Sequence, residues 1–155
     1  MSEGREAGWA SRAVTKLVYT YAERLDAGDF EGLADLFSDA TFRATYAGRT
    51  DVNRGSEEVH QVFQRLVRTY DDGTPRTKHV ITNLIVEVDQ GQLSASSRSY
   101  FSVLQGVANF PLQVIIAGRY HDSFACQDGH WRFTDRLIIP DLLGDQSRHL
   151  KVPVL

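Results

Sequence analysis

Thr77-Lys78-His79-Val80-Ile81-Thr82-Asn83-Leu84-Ile85-Val86-Glu87-Val88 is where the chain changes character. The run is rich in β-branched residues, which suit a pleated strand. Strict alternation places His79, Ile81, Asn83 and Ile85 on one face and Val80, Leu84, Val86 and Val88 on the other. Downstream, 93–104, 112–126 and 131–139 have the same composition. Asp89-Gln90-Gly91 and Asp128-Gly129 are turn sequences between them, so successive strands are expected to pair antiparallel, with 106–111 as a looser connection. Upstream, the period lengthens. Val14, Leu17, Val18, Tyr21, Ala22 and Leu25 recur at three and four residues, the stripe of an amphipathic helix. Gly28 is a stop signal, and Asp29 caps a short helix through Phe37. A strand is expected over 41–46 and a polar loop over 48–55. Ser56 is expected to cap a third helix carrying Val59, Val62, Phe63, Leu66, Val67 and Tyr70, which ends at Asp71-Asp72-Gly73-Thr74-Pro75. Three helices, one early strand and a four-strand meander predict an α+β domain, its sheet curled around the helices to leave a concave pocket.

The composition narrows the function. The 155 residues fit a single domain spanning 1–155, with a core of roughly 10–150 and flexible termini. A chain of this size buries about 70% of its unfolded surface, enough for a full core. Seventeen basic against twenty acidic residues leave no excess of positive charge for a nucleic-acid partner. The lone cysteine, Cys126, excludes an intrachain disulfide and any multi-thiolate metal site, and it reads as a buried structural thiol. No histidine pair stands at metal-ligand spacing, and neither a phosphate-cradling glycine pattern nor a nucleophile elbow occurs. The N-terminus is polar, and 114–117 is far too short to span a bilayer. The expectation is a cytoplasmic domain without metal or cofactor, whose chemistry comes from side chains.

Three residues stand out. Asp26 continues the row of Val18 and Ala22, so it is either an inward acid that needs a partner or the exposed end of a frayed helix. His79 is either a hydrogen-bonded core histidine or a residue lining a cavity. Arg136, grouped by alternation with Thr134 and Ile138, is either an inward guanidinium needing a carboxylate or an edge-strand residue reaching water. Tyr21 and Tyr46 read as core aromatics whose hydroxyls seek polar partners. His121 and Asp122 are strand neighbours facing opposite ways and read as structural, while His60, His130 and His149 receive no role.

Residues 21–37, Tyr21-Ala22-Glu23-Arg24-Leu25-Asp26-Ala27-Gly28-Asp29-Phe30-Glu31-Gly32-Leu33-Ala34-Asp35-Leu36-Phe37, resemble the opening of the SnoaL-like branch of the nuclear-transport-factor-2-like superfamily. Gly118-Arg119-Tyr120-His121-Asp122 and Asp128-Gly129-His130-Trp131-Arg132-Phe133 are similar to its final hairpin. The resemblance covers roughly 10–150 and implies a cone-shaped, cystatin-like α+β barrel. Three cofactor-free lyases of that superfamily (scytalone dehydratase, bile acid 7α-dehydratase and the lindane dehydrochlorinase) share a catalytic aspartate late in the first helix and a histidine early in the first long strand. Asp26 and His79 match these. Tyr21 matches an active-site tyrosine of the bile acid enzyme, Tyr46 approximately matches another, and Arg136 matches an arginine shared by the bile acid enzyme and the dehydrochlorinase. The second histidine of scytalone dehydratase has no counterpart over 99–103. The resemblance thus implies a dehydratase-type lyase or isomerase acting on a small, cyclic, hydrophobic substrate through a His-Asp dyad, as a homotrimer or homodimer. The same superfamily also holds non-catalytic β-subunits of aromatic-ring dioxygenases, hydrophobic-ligand binders and polyketide cyclases.

Overall fold

The structure, a computed structural model, describes residues 2–152. Residues 1 and 153–155, the ends of the termini expected to be flexible, lie outside the described residues. The chain runs α1 (Ser2–Ala27), α2 (Phe30–Asp35), β1 (Thr41–Tyr46), β2 (Arg49–Arg54), α3 (Gly55–Leu66), β3 (Thr77–Val88), β4 (Ser94–Val107), β5 (Phe110–Gln127) and β6 (His130–Leu143). The six strands form one sheet in the order β2-β1-β6-β5-β4-β3. Every pairing is antiparallel except β1 with β6, so the sheet is mixed. Val14, Val18, Tyr21 and Leu25 of α1 are buried, as are Phe63 of α3 and Phe101, Ile115, Tyr120, Phe124 and Phe133 of the sheet. The expected α+β architecture, a curved sheet around N-terminal helices, is the one observed.

Several local expectations are corrected. Residues 48–55 are not a loop, because β2 pairs with β1 from Tyr46↔Arg49 to Thr41↔Arg54. Its side chains are mostly exposed, so backbone hydrogen bonds and not burial make this edge strand, and composition alone misses it. Ala47 and Gly48, both at positive φ (49° and 77°), supply the tight hairpin turn. Ser56 is not the cap of α3: Arg54 occupies that position without a side-chain cap, and its N–H donates to Glu58 Oε2 at 2.6 Å. The 106–111 connection is also tighter than expected, with β4 continuing to Val107 and Asn109 turning at φ 60°. Asp29 does cap α2, accepting from the Gly32 N–H at 2.9 Å.

Bulges decide which side chains face inward. Strict alternation fails in β3, where the register jumps between Thr82↔Tyr100 and Ile85↔Arg98 and Asn83 turns at φ 53°. Thr77, His79 and Ile81 therefore share the more buried face with Leu84, Val86 and Val88, not with Ile85. In β6 the register jumps between Ser123↔Asp135 and Phe124↔Phe133. That shift places Arg136 on the buried face of Trp131 and Phe133 instead of grouping it with Thr134.

The end of α1 meets the start of β3 through a glycine. Gly28 ends the helix at φ 76°, with its N–H on the Leu25 carbonyl at 3.0 Å. A Cβ built there would lie 2.1 Å from the Gly73 carbonyl oxygen, in the turn that precedes β3. Gly28→Ala is expected to destabilise the protein by about 1–3 kcal/mol and to separate Asp26 from His79. Urea denaturation checks the first effect, and imidazole NMR of His79 the second.

Candidate functional site

The contact at Gly28 sets the last turn of α1 against the first residues of β3, and there Asp26 meets His79. His79 Nδ1 lies 2.6 Å from Asp26 Oδ1. The same carboxylate accepts the Thr77 hydroxyl at 2.8 Å and the His79 backbone N–H at 2.7 Å. Both side chains are largely enclosed, with 5% exposure for His79 and 12% for Asp26. Of the alternatives for Asp26, the inward, partnered acid is the one observed. Burial pushes its carboxyl upward, but the hydrogen bonds and charge of His79 and the Thr77 hydroxyl outweigh burial and hold it below the ordinary carboxylate range. An ionised Asp26 keeps the imidazole proton on Nδ1. The basic lone pair is then on Nε2.

A second cluster surrounds Arg136. The guanidinium is fully buried and forms a bidentate pair with Asp122, with both contacts at 2.8 Å. Its carbon sits 4.2 Å from the Tyr21 ring centroid and 3.9 Å from that of Tyr120. The inward reading of Arg136 is therefore the observed one, with its charge already matched by a protein carboxylate. Nε and Nη2 are committed to Asp122, while Nη1 has no hydrogen-bond partner among the described residues. Burial raises the Tyr21 phenol well above its ordinary value, so it is a neutral hydroxyl at working pH. Tyr21 precedes Asp26 by five residues on α1, about 7.5 Å along the helix axis. Tyr46 lines a cavity of about 410 Å³ with Phe42, Phe63 and Ile138, and burial raises its phenol too.

Two residues of these clusters were not singled out by sequence. Asp122, expected to be structural, carries the counter-charge for Arg136. The signal was present, because Tyr120, Asp122 and Phe124 alternate on one buried face of β5. The sequence pattern gives His149 no role. It is 7% exposed, and its main charge interactions are with His79 and Asp26. No periodicity marks that segment, so only the folded chain reveals it. Cys126 is partly buried against the core. Among the described residues no group of three or more His, Cys, Asp or Glu is placed to hold a metal, and no described helix is long and apolar enough to cross a membrane.

Burial pushes the His149 imidazole down to about 4, with His79 adding to the effect and Asp26 opposing it. Between pH 6.5 and about 4 the unfolded chain binds a proton that the folded chain refuses. Stability contributed by this group is full above pH 6.5 and is lost on acidification, by up to roughly 3 kcal/mol. In His149→Phe that part of the pH dependence should vanish. Urea midpoints of parent and variant across this range check it, and parallel curves would contradict it.

Residues 7–137 match the SnoaL-like domain. No protein of curated function matches the chain in sequence. Among solved structures, Rv3472(D26N) from Mycobacterium tuberculosis, a protein of unknown function, shares 26% identity over 90% of this chain and 76% of its own, with a TM-score of 0.71. A candidate scytalone dehydratase from Novosphingobium aromaticivorans shares 21% identity over 92% and 91%, with a TM-score of 0.70. The β-subunit of a candidate aromatic-ring-hydroxylating dioxygenase from the same organism shares 19% identity over 88% and 92%, with a TM-score of 0.71. The last two establish a common fold. With the domain match extending from α1 into β6, this chain belongs to the SnoaL-like domain family.

Proposed function

We propose that the chain is a lyase or isomerase that removes a proton from carbon next to a carbonyl or conjugated system in a small, cyclic, mostly apolar substrate. The observation that carries this reading is the His79 Nδ1–Asp26 contact of 2.6 Å in an enclosed site. His79 Nε2 is the general base, and Asp26 orients the ring and stabilises the imidazolium that forms. In elimination, the C–H pair becomes the new double bond, the C–O bond to the leaving hydroxyl breaks, and His79 returns its proton to that hydroxyl as water. In isomerisation the same proton returns to a different carbon. Tyr46 and Tyr21, both neutral phenols, are the proposed hydrogen-bond donors to the substrate oxygen. With Asp122 already holding two of its nitrogens, Arg136 has only Nη1 left to offer a substrate.

Proton abstraction can be tested without knowing the natural substrate. The parent protein should catalyse exchange of the α-protons of 2-tetralone in D₂O, followed by proton NMR. No exchange above buffer would overturn the reading and favour a binding or subunit role.

A further inference from the structure

The segment after β6 returns to the end of α3 and the approach to β3 and is pinned there. Arg68 N–H donates to the His149 carbonyl and Lys151 N–H to the Leu66 carbonyl, each at 2.8 Å, while Leu150 bridges Val67. Gln105, which faces Thr77 across the β3–β4 ladder, donates its amide to the Arg148 carbonyl at 3.0 Å and to the Pro75 carbonyl at 3.1 Å. Tyr70 donates its hydroxyl to the Arg148 carbonyl as well. These bonds fix the backbone on both sides of His149 against the end of α3 and the approach to β3.

The His149 ring is buried, yet its Nδ1 has no hydrogen-bond partner among the described residues. Gln105 Oε1, on the side chain that holds the neighbouring carbonyl, is also buried and without one. A polar atom left so in a folded interior is costly, because it has given up its water without a replacement. Such atoms call for a ligand or an ordered water. The depressed basicity of His149 keeps it neutral at working pH, with one ring N–H to donate and no proton to give away. A neutral imidazole of this kind can polarise a carbonyl.

We infer that His149 is a further catalytic residue, whose ring N–H donates to the substrate oxygen on which negative charge develops as His79 removes the proton. The inference rests on the dyad reading above. In the exchange reaction, His79 Nε2 takes the α-proton and the C–H pair becomes the C=C bond of the enolate. The carbonyl π pair moves onto oxygen, where the hydrogen bond from His149 strengthens. No proton leaves His149. A deuteron delivered from His79 to carbon completes the cycle.

The test uses the full chain and 2-tetralone in D₂O. For His149→Phe, kcat for exchange is expected to fall by about 10²-fold or more, with KM little changed. His149→Gln, which keeps an amide N–H, is expected to recover part of the loss, and circular dichroism establishes that each variant is folded. A parental rate in His149→Phe alongside an inactive His79→Ala would overturn the inference and leave the dyad standing. A His149→Gln variant no better than His149→Phe would also overturn it. An inactive parent would overturn both readings. Should His149→Phe not fold, ¹⁵N-imidazole spectra of the parent with the enol mimic 2-naphthol decide the matter. The His149 N–H signal moves downfield if it donates to the bound oxygen, and an unmoved signal refutes the assignment.

Discussion

Asp26→Asn is expected to lower proton exchange from 2-tetralone by about 10²–10⁴-fold, nearly as far as His79→Ala, while leaving the fold intact. The two variants fail for different reasons. His79→Ala deletes the base. Asp26→Asn keeps the base but reverses its tautomer. In the parent, Oδ1 of the carboxylate lies 2.6 Å from Nδ1 and accepts its proton, leaving Nε2 with the lone pair. An asparagine whose oxygen takes the Oδ2 place still accepts the His79 backbone N–H, and its NH₂ takes the Oδ1 place, where the Thr77 hydroxyl turns from donor to acceptor. Its NH₂ then faces Nδ1 and donates to it, which drives the ring proton onto Nε2, where the base is needed. The imidazolium formed on proton abstraction also loses its counter-charge. Imidazole ¹⁵N shifts distinguish the tautomers directly, and exchange kinetics give the rate. An Asp26→Asn variant as active as the parent would remove the dyad as the catalyst.

Asp122→Asn is expected to have the largest effect on stability, a loss of about 3–5 kcal/mol. Both members of the Arg136–Asp122 pair are fully buried. Removal of the carboxylate charge leaves a guanidinium that water cannot reach and that no other described acid contacts within hydrogen-bond distance. The Tyr21 and Tyr120 rings soften this loss, since a desolvated cation over an aromatic face gains about 2 kcal/mol. They cannot replace a bidentate carboxylate. Arg136→Met together with Asp122→Leu removes both charges and is expected to restore most of the stability, because an apolar pair of similar volume avoids the desolvation of two ions. Urea denaturation at neutral pH compares the three proteins. Equal losses in the single and double variants would show that packing, not charge balance, is what the pair contributes.

Much of the fold was legible in local pattern. The helical stripe through Val14, Val18, Tyr21 and Leu25 is buried as read, and β3 spans Thr77–Val88. The hairpin at Asp128-Gly129, with both residues at positive φ, follows from its turn sequence. What resisted reading was structure held by backbone hydrogen bonds without burial. The polar strand β2 shows this, with its mostly exposed side chains.

The sequence by itself determined every element type but that of β2 and, as candidates, the two residues of the dyad, because helix spacing puts Asp26 on the apolar row and the family pattern points to both. Only the tertiary structure decided which face each strand turns inward. One extra residue in a bulge inverts every side chain beyond it. The bulge at Asn83 brings Leu84, Val86 and Val88 onto the His79 face, and the one near Thr134 buries Arg136. Alternation cannot foresee either, since each depends on register with a neighbouring strand. The same holds for His149, whose backbone is held by hydrogen bonds from Arg68, to its own carbonyl, and from Gln105, to that of Arg148, residues remote from it in the chain.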